Sequence, residues 1–153
     1  MSEQNQDKSA QAAKIVRNHA IAAAASFVLP IPLLDIGILG GIHLRMLREL
    51  ARLYNVEFHE QRANAIIGAL VGVSAATAVT SLLSLVPGPG RALLGLGALT
   101  LPSASTYALG RVFIKHFESG GTFLTFDTSK AKKNYDEELG RKEAEPSYVG
   151  VKP

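Results

Sequence analysis

The chain has 153 residues, 47% hydrophobic and 19% charged, with a formal charge of +3 and no cysteine. That length bounds it to a single domain, and the missing cysteines exclude a disulfide framework and a thiolate metal site. The charge is too small and too dispersed to argue for nucleic acid.

Met1 to Ala10 is polar and mixed in charge, and is expected to be disordered. It lacks the basic start and apolar core of a signal peptide. Gln11 to Leu29 reads as a helix with an alanine-rich run at 20–25. Pro30 and Pro32 break it, because each removes a backbone donor and restricts the residue before it. A second helix is expected over Leu33 to Tyr54, glycine-rich at first (Gly37, Gly40, Gly41), then amphipathic with Arg45, Glu49 and Arg52 on one stripe. Asn55 is its expected stop. Ala65 to Gly90 and Ala92 to Gly110 contain no Asp, Glu, Lys, Arg or His. Each is long enough to cross a hydrocarbon core of about 30 Å, and Pro87-Gly88-Pro89-Gly90-Arg91 would join them as a hairpin. A soluble helix shows a polar face, whereas Ile66 to Leu85 offers only Ser and Thr. The second run continues through Arg111, Lys115 and Glu118 to a stop at Gly120-Gly121. A strand-like TFLTF follows. A weak helix from about Ser129 to Leu139 comes next, with its lysines first and its acids last, against the helix dipole.

The stretch SFVLPIPLLDIGILGG, Ser26 to Gly41, is apolar yet carries two prolines and Asp35. Of the 16 Lys and Arg residues, only Arg91 falls in the Pro-Gly loop. The positive-inside tendency places the other groups in the cytoplasm if this stretch enters the membrane and returns. A full crossing would strand Lys8, Lys14 and Arg17 outside, and would put Asp35 at mid-bilayer at a cost of about 2.5–3.5 kcal/mol. The expected fold is therefore all-α: a membrane helical hairpin plus a proline-broken re-entrant or interfacial helical hairpin. Residues 11–127 form one membrane domain, with the re-entrant hairpin over 20–42 and spans at about 65–86 and 92–110. Residues 128–153 make a marginal helix and a flexible tail. Both termini are expected on the cytoplasmic side of the cytoplasmic (inner) membrane.

Motifs with chemistry are scarce. PGPGRALLG lacks the Lys-Ser/Thr pair of a phosphate loop, and Pro89 removes a donor from the would-be cradle. His19, His43, His59 and His116 never reach a metal-ligand spacing, so no metal, cofactor or catalytic residue is expected. Asp35 reads either as a helix cap after the prolines or as an intramembrane carboxylate. Gly68, Gly72, Ala76 and Thr80 recur every four residues, a face that lets helices approach closely in lipid. Ala104 and Ala108 offer a matching face, and Gly40-Gly41 a second close-packing surface. Arg111, with Lys115, lies near lysines that could rest on anionic headgroups.

The run KIVRNHAIAAAASFVLPIPLLDIGILGGIHLRMLRELARLYNVEF, with the later STYALGRVFIKHFESGGTF, resembles a bacterial family, the one numbered 697 among domains of unknown function. The resemblance covers about Lys14 to Asp127. It implies a hydrophobic membrane module and, because some members are joined to a GTPase domain that is missing here, a GTPase partner encoded separately. The expected function is non-enzymatic: an integral membrane protein that self-associates as an oligomerising scaffold in the lipid bilayer. Two alternatives stand beside it. One is a small oligomeric pore lined by Asp35 and Ser74, Thr77, Ser81 and Ser84; the other is a soluble helical bundle.

Overall fold

The computed structural model describes residues 3–26, 34–72 and 90–144, with side chains over 4–25, 37–72 and 102–142. The described elements are helices: α1 (Glu3–Ser26), α2 (Leu34–Tyr54), α3 (Glu60–Leu70), α4 (Gly90–Glu118) and α5 (Thr128–Ala144). The all-α expectation holds. Among these helices none is long and apolar enough to cross a membrane. Of the two expected spans, 73–86 lies outside the described residues, and the second half of 92–110 packs against α1.

α1 starts at Glu3 rather than Gln11, so residues 3–10 of the stretch expected to be disordered are helical. Tertiary contact supplies the reason. The Ser9 hydroxyl donates to the Glu118 carboxylate at the far end of α4, and Ala12, Val16, Ala20 and Ala23 form a buried stripe at helical spacing. Opposite them α4 presents Gly110. A Cβ at Gly110 would run into the Val16 methyls, so the two backbones meet at this point as closely as their side chains allow. The pairs Ser9–Glu118 and Val16–Gly110 run in opposite senses, so α1 is antiparallel to α4. The pairs His43–Thr106 and Tyr54–Glu118 make α2 parallel to α4. α1 and α2 are thus the two arms of a hairpin. Its turn, with Pro30 and Pro32, lies outside the described residues.

Helix stops fall where local chemistry demands. Asn55 adopts φ 55° while its N–H and that of Val56 return to the Arg52 and Ala51 carbonyls. Gly120, at φ 81°, repeats the pattern, with Gly120 and Gly121 donating to Phe117 and His116. Both are left-handed caps that satisfy the last carbonyls of a helix. Gly121 has a further reason to be glycine, since a Cβ there would strike the His116 ring.

The segment Thr122 to Phe126 is a turn, not a strand, which corrects the strand-like reading of TFLTF. Phe123 is buried and Phe126 half-buried, three residues apart, while Leu124 is 58% exposed. That spacing is not the alternation a strand needs. Phe126 stacks on Phe113 at 4.6 Å, and Phe123 meets Phe58 edge-on at 5.4 Å. These rings close the end of the bundle remote from the prolines.

α5 is longer and better anchored than expected. Asp127 accepts the N–H groups of Ser129 and Lys130 at 3.0 and 3.2 Å, a side-chain cap. Accepting the Lys130 N–H, above all, holds the Asp127 carboxyl below the usual carboxylate range. Ala131, Tyr135 and Glu138 turn inward. Burial opposes ionisation of Glu138, but the Lys115 ammonium at 2.9 Å and the Arg141 and Arg111 guanidiniums outweigh it and hold the carboxyl below its ordinary value.

Gly110→Val should lower stability by about 1–3 kcal/mol, the usual cost of overpacking. Adding Val16→Ala should restore part of that loss, because it clears the methyls that the new side chain meets. Thermal unfolding of the single and double variants, followed by circular dichroism, measures the coupling. Equal loss in both backgrounds would refute the close contact.

Candidate functional site at the junction of α1, α2 and α4

Where the three helices cross, the core contains a polar node. His43 on α2 is 1% exposed and Thr106 on α4 is fully buried. The His43 Nε2 lies 2.9 Å from the Thr106 Oγ1, and the Thr106 hydroxyl donates to the Pro102 carbonyl at 2.7 Å. With that proton committed to Pro102, the Thr106 oxygen accepts from the His43 Nε2–H, which selects the tautomer. Ser105 also donates to the Pro102 carbonyl, at 3.0 Å. Proline cannot continue the helix ladder through its own nitrogen, and these two hydroxyls crowd its carbonyl instead. Burial, reinforced by the charge of His19, lowers the His43 pKa to about 4. The ring is neutral at pH 7.

Outward from the node, the His19 Nδ1–H donates to its own helix at the Ile15 carbonyl, 2.9 Å away. Its Nε2 then faces Glu49 at 3.8 Å, and Glu49 also takes the Arg45 guanidinium at 3.2 Å. These side chains border a groove of about 620 Å³ between α1 and α2, lined among others by Lys14, His19, Ala22, Ile42 and Arg45. A second, smaller depression of about 450 Å³ continues along α2 past Gly41, Arg48 and Arg52.

The outer surface changes character at this level. Exposed residues of α1 include Lys8, Gln11, Lys14, Arg17 and Asn18, interspersed with Ala10 and Ala13; beyond Asn18 the exposed ones described are all apolar, Ile21, Ala22 and Ala25. On α2 the exposed Arg48 and Arg45 give way towards the prolines to Gly41, Ile38 and Gly37. Ile21 is 61% exposed and Ile38 44%. At the same height on α4, Tyr107 carries the Lys142 ammonium 5.0 Å over its ring.

At the far end of the bundle, Glu118 accepts from both Ser9 and Tyr54. Burial, then the bond to Glu118, pushes the Tyr54 hydroxyl up to about 12. Arg111, expected at the membrane edge, is half-buried on α4, and its Nε has no hydrogen-bond partner among the described residues. Asp35 falls in the first turn of α2; its side chain, with Pro30, Pro32 and Ala76, lies outside the described residues. Cβ atoms at Gly40, Gly41 and Gly68 would meet nothing within 4 Å among the described residues. Gly72 instead closes the end of α3, donating to the Gly68 carbonyl at 3.1 Å. Gly120 and Gly121 act as the cap described above. No group of three or more metal-binding side chains occurs among the described residues.

Sequence reasoning missed His43, Thr106, Pro102 and Gly110. A proline followed four residues later by threonine, inside an uncharged helix, was the available signal for half of the node. Its histidine partner, 63 positions away, leaves no local trace.

Comparison with known proteins adds two similarities. The family described as "Domain of unknown function (DUF697)" matches residues 1–142. Magnetosome membrane protein 22 of Magnetospirillum gryphiswaldense is 36% identical over 141 residues, covering 87% of this chain and 71% of that protein. No solved structure matches.

The neutral His43 makes stability pH-dependent. The folded value, about 4, lies below the ordinary 6.5, so the unfolded chain binds the proton first as pH falls. Stability present above pH 6.5 is therefore lost between 6.5 and 4, by up to about 3 kcal/mol. His43→Gln, neutral throughout, should flatten that slope. Unfolding midpoints between pH 7 and 5 should fall by several degrees in the native protein and clearly less in the variant. Parallel slopes would exclude His43 as the source.

Proposed function

The chain belongs to the family of domains of unknown function numbered 697, and we propose that it is a membrane-bound, non-enzymatic assembly module with its charged bundle in the cytoplasm. The observation that carries this reading is the change of the exposed surface from charged to apolar along one axis, at the level of Asn18, Arg45 and Tyr107. From Tyr107 back to Gly90, α4 rises about 26 Å at 1.5 Å per residue. A hydrocarbon core is about 30 Å thick; this segment covers most of that depth and, with the uncharged run before Gly90, supports insertion. Tyr107 under Lys142 fits the amphipathic residues that collect at a membrane interface.

The packing of α1 beside α2 supports a hairpin that enters and returns, because a full crossing between Ser26 and Leu34 would put the two helices on opposite faces. With them together, Lys14, Arg17, Arg45, Arg48, Arg111 and Lys115 all belong to one side, which the positive-inside tendency assigns to the cytoplasm. The relative's name as a magnetosome membrane protein points the same way. Assembly is the role the remaining surface suits. The glycines at 37, 40, 41 and 68, whose Cβ positions meet no described atom, offer backbone to a second helix in lipid, whether from another copy of this chain or from a membrane partner. A GTPase encoded separately is the soluble partner we propose for the bundle.

Fractionation tests the reading directly: the protein should remain in the membrane pellet after carbonate extraction, and release into the supernatant would overturn integral insertion. Single cysteines at Gln6, Gln61 and Lys133 should be shielded from an impermeant thiol reagent in intact cells, whereas Pro89→Cys should react. Labelling at Gln6 would mean that the first hairpin crosses fully.

A further inference from the structure

We infer that the groove between α1 and α2 is a binding site for the phosphate headgroup of an anionic phospholipid, an inference that rests on the membrane reading above. The groove is amphipathic along its length. Lys14 and Arg45 line its charged end, and Ala22 and Ile42 its apolar end, nearer the prolines. The exposed surface changes sign of polarity at the same height. A ligand that fills it must carry an anion joined directly to an apolar chain.

The charge balance favours an anion. Glu49 is the carboxylate at the groove, and it is already engaged by Arg45 at 3.2 Å and faced by His19 at 3.8 Å. Lys14 makes no ion pair among the described residues. Arg45 is 78% exposed, so its guanidinium can turn to a phosphate without breaking a buried contact. Along the neighbouring depression Arg48 is paired with Glu60 at 3.1 Å, while Arg52 has no ion-pair partner among the described residues. With Arg45 offsetting Glu49, Lys14 leaves the groove with one net positive charge, and Arg52 adds another along the neighbouring depression.

Size and position favour a lipid over a free anion. About 620 Å³ far exceeds a phosphate ion, whose share of volume is of the order of a few water molecules at about 30 Å³ each. The apolar end continues towards Gly37, Ile38 and Gly41, exposed among the described residues, where a Cβ at either glycine would meet no described atom within 4 Å. An acyl chain lying there would cover surface that otherwise faces the bilayer without complementary shape. The headgroup would sit at the level where headgroups lie, and basic side chains at that level each contribute on the order of 1 kcal/mol towards anionic lipid.

The test uses the full chain purified in nonionic detergent and native mass spectrometry to count bound lipid. Phosphatidylglycerol should bind saturably, at one per chain, and more tightly than phosphatidylcholine. Lys14→Glu combined with Arg45→Glu should weaken phosphatidylglycerol binding at least about tenfold. The control, Arg62→Glu with Lys133→Glu, makes the same charge change on exposed positions elsewhere and should leave binding intact. Equal loss in the control would reduce the effect to net charge and overturn the site. Equal affinity for the two lipids would overturn headgroup recognition. Glycerol phosphate competing as well as the whole lipid would assign the groove to a soluble anion instead. Partition of the protein into phosphatidylcholine vesicles separates the two levels. Insertion without any phosphatidylglycerol preference defeats the headgroup site and leaves the membrane reading standing; no insertion into any vesicle defeats both.

Discussion

The close approach of α1 to α4 at Val16 and Gly110 is the contact on which the other arrangements depend. A glycine on one helix and a stripe of alanines on the other bring the two backbones together. Small side chains lose little conformational entropy on burial, so this interface stabilises through many short dispersion contacts rather than large apolar side chains. Once α1 lies along α4, its end at Ser26 must return to α2 within seven residues. α2 is thereby brought alongside both, with His43 facing Thr106. The hairpin, the groove and the shared charged side follow from that one docking.

Burial of polar groups at this junction is selective. Among the described residues, His43, Thr106 and Glu138 are the buried polar or charged side chains of the core, and each has a partner. Thr106 links two helices, accepting from α2 and donating within α4. Glu138 fastens α5 to Lys115 on α4 and to Arg141 on its own helix. A buried polar group that is satisfied adds modest stability, but it penalises every register in which the partner is missing. In a bundle whose main interface is made of alanine and glycine, which discriminate poorly between registers, such bonds supply the discrimination.

The charged and apolar parts of the surface divide across the same junction. Beyond Asn18 on α1 and before Arg45 on α2, the exposed positions among the described side chains carry no charge, and the groove straddles that line. The aromatic cluster of Phe58, Phe113, Phe117, Phe123 and Phe126 lies towards the opposite end, where the bundle ends in the Tyr54–Glu118–Ser9 bonds. The protein therefore has a conventional aromatic core at one pole and a small-residue, glycine-rich construction at the other. That asymmetry suits a module that stands in water at one end and meets lipid or another helix at the other.

Much of this was local enough to be legible in the residues. Left-handed stops at Asn55 and Gly120, the break between the first two helices and the all-helical class follow from backbone chemistry that neighbouring residues decide among themselves. The uncharged runs and the lone Arg91 between them likewise belong to composition. Tertiary structure decided the rest. Residues 3–10 are helical because Ser9 and Ala12 find α4, though nothing in their own propensity forces it. Thr122 to Phe126 turns because both of its phenylalanines enter the same core, overriding an apparent alternation. Lys130 to Glu138 forms a firm helix despite its dipole-opposed charges, because Asp127 caps it and Lys115 meets Glu138. Gly110 meets Val16 across 94 positions and His43 meets Thr106 across 63, and a pattern confined to one helical turn carries no information at that range.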